Sequence, residues 1–452
     1  MKKNFKVAIF NYNRSYSKFI QQLKINFKNY TVIYRFKEKN FFEEKFILKK
    51  KLKKIDICVV CKSYAESFFL KEIEFLINNK IKLVQAVDNK EISKHGYITP
   101  KPLKSLSFEK IFFRKTLDID KLKVKKFIFK KKILITGGAG SIGTGILREL
   151  IKYSPKEIAI IDNNEHAAFN LYNFNNKIFD KVKFFLCNIE NNRLVKLCFE
   201  KFKPDIVFHA AAVKHLNYLE KNPIQGSLIN IVGTENILSA AKSLKVKFFI
   251  NISTDKAVNP TSVLGYTKRI SEILCNNFFN DNKIKICSVR FGNVFRSRGS
   301  FTELVDNKIS SNEKIDITSP LVERYFMSID EAAKLILHSL CLLNENKENN
   351  KKIYVFDMGL PVNIKDLTRK IIYLSGRNIN KLINRNFTGL KNGEKLKETL
   401  FSKKETISNK YYNKIYEITQ KKYSNFREKY LSLKKGISKN DEKKLLRSLK
   451  LF

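Results

Sequence analysis

The first 95 residues contain no glycine; the first one stands at position 96. A glycine-rich phosphate turn is therefore excluded from the N-terminal fifth of the chain. Acidic charge is also scarce, with 43 Asp and Glu against 88 Lys and Arg and a formal net charge of +45. The surplus is mostly lysine dispersed among Asn, Ile and Phe, while arginine, the residue of bidentate forks to bases and phosphates, is sparse. With no zinc-finger or RNA-recognition motif, this pattern reads as solvated lysine. Attraction to an anionic membrane surface or substrate is the second reading, and nucleic acid is not an expected partner. No apolar run approaches the ~18–20 residues of a bilayer crossing, and the opening MKKNFKVAIFNYNRSY is not a secretory signal. A cytoplasmic protein without a transmembrane segment is expected. The seven cysteines are odd in number and mostly lie in apolar runs. Cys58 and Cys61 sit in the strand-like IDICVVCKS, where alternation sends them to opposite faces, so buried thiols are expected and no metal site.

The 452 residues, 43% hydrophobic, suffice for two or three domains with full cores. Residues 1–96 alternate apolar runs (FKVAIF, YTVIYRF, IDICVV, IKLVQAV) with helical segments, which predicts a small Rossmann-like domain. Its first turn, Asn11 to Ser15, lacks the glycines a dinucleotide needs, so a scaffolding or regulatory role is expected. Residues 97–130 read as a linker with one short helix. From 131 the rhythm is βαβα, with apolar runs at 132–136, 157–161, 182–187, 205–210, 246–252 and 284–290. Such alternation predicts an α/β fold with a doubly wound parallel sheet. Residues 300–402 are expected to form a substrate lobe, and 403–452 a basic helical tail.

The run KILIT enters Thr136-Gly137-x-x-Gly140-Ser141-Ile142-Gly143 and then the helical TGILRELIKY. A strand feeding a glycine turn and a helix makes a phosphate cradle, with the helix's free N–H groups aimed at the anion. Ile158-Ala-Ile-Ile161 ends in Asp162, nineteen residues after Gly143. An acid there accepts from an adenosine ribose 2′-OH and repels a 2′-phosphate, which favours NAD over NADP. Further on, DIVFHAAAVKH leaves room at Ala210, Ala211 and Ala212 for a ribose and a nicotinamide. Lys214 and His215 follow, where a cation meets a pyrophosphate, and Asn230 in the next helix is positioned to bond the surrounding loops. FFINIS leads into Ser253-Thr254-Asp255-Lys256, a carboxylic acid beside an amine, suited to proton transfer. Lys268 lies on the following helix, and the position four residues earlier, where a hydroxyl acid/base would share its face, is Leu264. Tyr266, two residues before Lys268, points elsewhere.

TGGAGSIG, HAAAVKH, ISTDKAVNPTSVLGYTKR, VRFGNVFRSRGS, ERYFMSIDEA and GLKNGEKLKETL occur in one order across 131–402. That region resembles the nucleotide-sugar 4,6-dehydratases of the extended short-chain dehydrogenase superfamily, the CapD-like polysaccharide-biosynthesis group. Residues 1–125 are similar to the cytoplasmic N-terminal domain of its long members. The resemblance implies a hydro-lyase using NAD and a UDP-N-acetylglucosamine-type sugar. Asp255 would be the acid expelling the C6 hydroxyl, Lys256 the base at C5, and Thr254 the group polarising O4. Lys268 would hold the cofactor, as would the TGGAGSIG turn, Asp162, Asn188 and Ile189. Lys214, His215 and Asn293 would face the UDP portion, and Arg324, Lys391 and Glu394 its pyrophosphate and ribose. Asn188 stands where an Asp is usual, Arg296 replaces a glycine, and Lys391-Asn392 replace Arg-Pro. The resemblance also implies a homo-oligomer. A UDP-sugar 4-epimerase is the alternative reading, and an inactive nucleotide-sugar-binding scaffold a further one.

Overall fold

The computed structural model describes residues 120–173, 182–277, 284–345, 351–374, 382–384, 386–412, 414–419, 423 and 425–452, together with the backbone of four N-terminal strands. The chain divides into two compact units. The first comprises 1–115, 304–317 and 365–387, and the second 116–303, 318–364 and 388–452.

In the first unit, strands β1 (Phe5–Phe10), β2 (Tyr30–Phe36), β3 (Ile57–Val60) and β4 (Lys82–Gln85) form a parallel sheet in the order β2-β1-β3-β4. They coincide with the four apolar runs of the glycine-free region. The turn at Asn11–Ser15 and the Cys61 side of the Cys58/Cys61 pair lie outside the described residues.

The second unit is built on β5 (Lys132–Thr136), β6 (Glu157–Asp162), β7 (Val182–Leu186), β8 (Ile206–His209), β9 (Phe248–Ile252) and β10 (Lys285–Arg290). Short strands β11 (Asn293–Val294), β12 (Glu323–Arg324) and β13 (Phe326–Met327) follow. Then come β14 (Lys351–Phe356), β15 (Val362–Asn363), β16 (Thr406–Tyr411) and β17 (Ile415–Thr419). The main sheet runs β16-β17-β14-β10-β9-β8-β5-β6-β7, parallel except for the β16–β17 hairpin. Strand order reverses beside β5, so the carboxyl ends of β5 and β8 diverge and open a crevice, the usual ligand position in such sheets.

The central strands are predominantly apolar because helices cover both faces, with buried His209 on β8 and Asn251 on β9 among the polar exceptions. On β5 the period of two still sorts the side chains. Ile133 and Ile135 join the core beneath helices α1 (Ser141–Leu150) and α5 (Ile329–Glu345). Leu134 joins the opposite core with α2 (Asn192–Phe202), α3 (Gly233–Ser243) and α4 (Val263–Asn277). The five described cysteines are buried and free.

Two elements differ from the sequence expectation. Segment 300–402 supplies β14, a seventh parallel strand. Segment 403–452 is not solely helical: residues 406–419 extend the sheet before α6 (Phe426–Ser438) and α7 (Glu442–Leu449) pack Leu433, Ile437, Leu445 and Leu449 into the second core. The hairpin is tied down by charge. Fully buried Arg290 on β10 bonds Glu272 of α4 at 2.6 and 2.7 Å and Glu405, just before β16, at 2.8 and 3.0 Å. Glu272 also accepts from Ser253 Oγ at 2.6 Å. Among the described residues no helix is long and apolar enough to cross a membrane.

Candidate active site

A cleft of about 780 Å³ lies over the carboxyl ends of β5, β6, β8 and β9. At one end, Gly137 adopts φ +66° and donates its N–H to Ile161 O at 2.7 Å; a Cβ there would stand 2.6 Å from Ala211 N. A Cβ on Gly143 would come within 2.3 Å of Gly137 O, so glycine lets the helix start against the turn itself. Gly140 caps α1 without a side-chain hydrogen bond, which leaves the N-terminal N–H groups of α1 directed into the cleft. Ser141 Oγ accepts from Arg298 N at 2.9 Å, tying the loop after β11 to this turn, and Ile142 is half-buried on the wall.

Asp162 braces the same turn: Oδ2 accepts from Ala139 N at 2.9 Å and Oδ1 from Asn164 N at 3.0 Å. Each carboxylate oxygen keeps a further lone pair for a hydroxyl. Asn188 and Ile189 lie on the same wall; Asn188 Nδ2 donates to Glu190 Oε1 at 2.9 Å, and Ile189 rests on Gly233, where a Cβ would clash at 2.6 Å. Ala210, Ala211 and Ala212 line the floor.

Thr136 and Asn230 are buried behind that floor. Asn230 Oδ1 accepts from Val213 N at 2.9 Å, and its Nδ2 donates to Val213 O and to Thr267 Oγ1. Asn230 therefore acts on the loop after β8 and presents no free polar atom to the cleft. Thr136 Oγ1 bonds His209 Nδ1 at 2.7 Å, and His209 Nε2 meets Thr234 Oγ1 at 2.9 Å. Because Thr234 donates to Asn230 O, its oxygen accepts from His209, which assigns the proton to Nε2. Burial and the nearby Lys268 charge push this histidine down to about 3, so it is neutral.

At the other end, β9 delivers Thr254, Asp255 and Lys256. Thr254 Oγ1 donates to Asp255 Oδ1 at 2.9 Å. Asp255 is fully buried, and its Oδ2 has no hydrogen-bond partner among the described residues. Gly292 makes room for it, since a Cβ there would sit 2.9 Å from Oδ2. Lys256 Nζ donates to Asp255 Oδ1 at 3.0 Å and Asn293 Oδ1 at 3.1 Å, with Glu398 Oε1 at 3.7 Å. Burial lowers its affinity for a proton, but Asp255 and Glu398 outweigh that and hold the ammonium form. Lys268, on α4, lines the cleft; burial, partly offset by Glu272, lowers it to about 8. Leu264 lines the wall one helical turn earlier, while Tyr266 packs on the second core.

Lys214 and His215 border the cleft. Burial lowers both, and Lys214 Nζ lies 3.4 Å from Ser297 Oγ. Gly299, at φ +65°, packs under the His215 ring, where a Cβ would clash. Arg324 and Glu394 pair with one another at 3.1 Å, and Lys391 N donates to Glu394 Oε2 at 3.1 Å. These three belong to the segments beside the cleft and do not form its wall. Asn293, expected to face a UDP portion, lines the cleft and accepts from Lys256 through its amide oxygen. Sequence reasoning passed over Glu398, Lys395, Gly292 and His209, although Glu398 and Lys395 stand inside the quoted GLKNGEKLKETL.

The reversed strand order and the glycine turn at the crevice define a doubly wound, Rossmann-type fold. The profile of a family described as polysaccharide biosynthesis protein matches residues 133–420, and the chain belongs to that family. It is 34% identical to the capsular polysaccharide biosynthesis protein CapD of Staphylococcus aureus, over 86% of this chain and 65% of the relative. The probable polysaccharide biosynthesis protein EpsC of Bacillus subtilis is also 34% identical, over 71% of this chain and 53% of that protein. The chain thus spans roughly half to two thirds of the length of these relatives. Among solved structures, Pen from Bacillus thuringiensis superposes with a TM-score of 0.58 at 29% identity, covering 65% of this chain and 89% of its own.

Proposed function

We propose that the protein dehydrates a UDP-N-acetylhexosamine of the UDP-N-acetylglucosamine type to its 4-keto-6-deoxy sugar, for surface-glycan synthesis. One observation carries this reading: a buried acid with one unpartnered oxygen, bonded to a lysine that lines the same cleft as a dinucleotide turn, with leucine where a hydroxyl would serve a simple C4 oxidation.

The residues fit a nicotinamide dinucleotide. Gly137 and Gly143 clear a cradle that any Cβ would fill, the N-terminus of α1 offers free N–H groups, and the alanine floor leaves room for rings. Asp162 favours NAD over NADP by placing a carboxylate at the ribose position. When bound, the cofactor supplies hydride acceptance from C4 and its return to C6, so the net reaction is elimination of water. Lys268 would hold the cofactor's ribose. Thr254 would accept a hydrogen bond from the O4 hydroxyl, whose proton leaves to water. In the resting cluster Asp255 is the acceptor and Lys256 the donor; transfer of one proton from Nζ to Oδ1 makes a neutral acid and a neutral amine. The amine then takes the C5 proton, the acid gives its proton to the departing C6 hydroxyl, and the resulting ammonium returns a proton to C5 as C6 is reduced. Lys214, His215, Arg324, Lys391 and Glu394 would meet the UDP portion, Lys391 as a point charge without a fork. We also propose a cytoplasmic homo-oligomer, with its lysine surplus favouring peripheral attraction to an anionic membrane.

The test is incubation of the purified protein with UDP-N-acetylglucosamine and NAD⁺, followed by mass spectrometry of the sugar nucleotide. Loss of one water is expected. An unchanged mass with inverted C4 would replace this reading by epimerisation, and bound but intact substrate by an inactive scaffold.

A further inference from the structure

Glu398 lies 142 residues from Lys256 in sequence, has a side chain only 4% exposed, and brings Oε1 to 3.7 Å from Lys256 Nζ. Its Oε2 faces Lys395 Nζ at 3.4 Å and makes no hydrogen bond among the described residues. The segment that carries it is docked onto the turn carrying Lys256. Lys395 Nζ donates to Val258 O at 2.8 Å, and Thr261 Oγ1 donates to Gly393 O at 3.0 Å. Gly393 sits at φ +72° with space for no Cβ, since one would meet Ser262 at 2.7 Å. A burial this tight, of a carboxylate against two lysines, is costly unless the charges are matched.

We propose that Glu398 is a positioning residue that fixes the direction and the charge of Lys256, a role that rests on the elimination proposed above. Three acceptors converge on Nζ: Asp255 Oδ1, Asn293 Oδ1 and Glu398 Oε1. An ammonium donates to Asp255 Oδ1 and Asn293 Oδ1 and sets its charge against Glu398, whereas an amine would turn its lone pair toward an oxygen. The charged and titratable groups around Lys256 are Asp255 on its own turn, Glu398 and Lys395 on the docked segment, and Arg324 on β12; Tyr325 faces Asp255. Asp255 and Glu398 favour the ammonium, and Arg324 opposes it. Lys256 becomes a base only when an Nζ–H bond breaks and an O–H bond forms on Asp255. Glu398, the second carboxylate facing the ammonium, sets how readily that proton moves and aims the amine that remains. A merely structural clamp between Glu398 and Lys395 would leave the titration of Lys256 untouched.

The decisive experiment is competitive acetylation of the full chain by acetic anhydride over a pH series, read by mass spectrometry on the peptide containing Lys256. Glu398→Gln should let Lys256 react at lower pH, with its midpoint reduced by about one unit or more, as loss of an adjacent opposite charge does. Glu398→Asp should recover most of the shift. Lys395→Gln, which leaves Glu398 to Lys256 alone, should move the midpoint the other way, and it serves as the test should Glu398→Gln fail to fold. The pH–rate profile with UDP-N-acetylglucosamine and NAD⁺ should shift in the same direction, with kcat falling more than KM. An unchanged Lys256 midpoint in folded Glu398→Gln, or in Lys395→Gln where the first variant does not fold, overturns the proposal. Absence of turnover by the wild-type protein would instead refute the dehydratase reading and leave the acetylation result standing.

Discussion

At the glycine-turn end of the cleft, the important atoms are backbone groups close together in sequence. Gly137, Gly140 and Gly143 fall within seven residues, and Asp162 reaches them from the adjacent strand to hold Ala139 N. At the Asp255–Lys256 end they are side chains gathered from far apart: the turn after β9, Asn293 on β11 and Glu398 on the docked segment. A backbone cradle is set by local dihedrals and sterics. A side-chain cluster holds only while the segments that carry it stay packed, and its charges stay matched. The second end should therefore be the more fragile to substitution and to pH.

The largest expected effect is on chemistry. Asp255→Asn should lower turnover by about 10²–10⁴-fold, the usual range for a lost general acid, while UDP-sugar affinity changes little. Equal losses in both would remove Asp255 from the acid role. Next comes the ion network behind the cluster, which reaches Ser253 through Glu272. Glu405→Gln breaks a buried pair with Arg290 and should cost about 3–5 kcal/mol in a urea titration. Burial raises the Glu405 carboxyl, but the Arg290 hydrogen bonds and charge override it and hold it at about 2. Its folded-state value lies below the unfolded value near ~4.3, so the stabilisation is complete above that pH and fades as pH falls toward about 2. The wild-type protein should thus lose more stability than Glu405→Gln on acidification from pH 7 to pH 3, which paired urea midpoints would reveal.

Effects at the glycine-turn end should be smaller. Asp162→Ala should weaken NAD by roughly tenfold, the worth of about one charged hydrogen bond, and NADP by less, as titration calorimetry can read. An unchanged preference would remove the ribose contact. The smallest effect is expected at Arg296, a non-glycine residue at φ +52° with its guanidinium 5.6 Å from the Phe295 ring. Arg296→Gly should relieve the left-handed strain and raise stability by up to about 1 kcal/mol. A marked destabilisation would mean that the ring contact outweighs the backbone.

The contrast between the two ends also explains what was legible in the sequence. The glycine turn, Asp162 and six parallel strands follow from short-range patterns, because a strand buried on both faces must be apolar and a tight turn must be glycine. Strand β14 was hidden because its KKIYVF sits in a stretch of mixed elements. Strand β16 was hidden because TISNKY is almost wholly exposed at the sheet edge and carries no alternation. Glu398 stands inside GLKNGEKLKETL, but nothing local marks its role: its meaning comes only when the fold brings it to Lys256. Asn293 gains a contact that the resemblance did not imply, since its amide oxygen accepts from Lys256. Asn230 shows the limit of carrying a role over: its amide is wholly occupied with Val213 and Thr267, so it shapes the loop after β8 from behind.

The most direct measurement follows one hydrogen. UDP-N-acetylglucosamine deuterated at C4 should be converted by the protein and NAD⁺ into a sugar nucleotide that has lost one water yet keeps its deuterium, now on C6, as NMR would locate it. Deuterium that remains on C4 in a product of unchanged mass, with C4 inverted, would contradict the account and leave Asp255 and Lys256 without an elimination to catalyse.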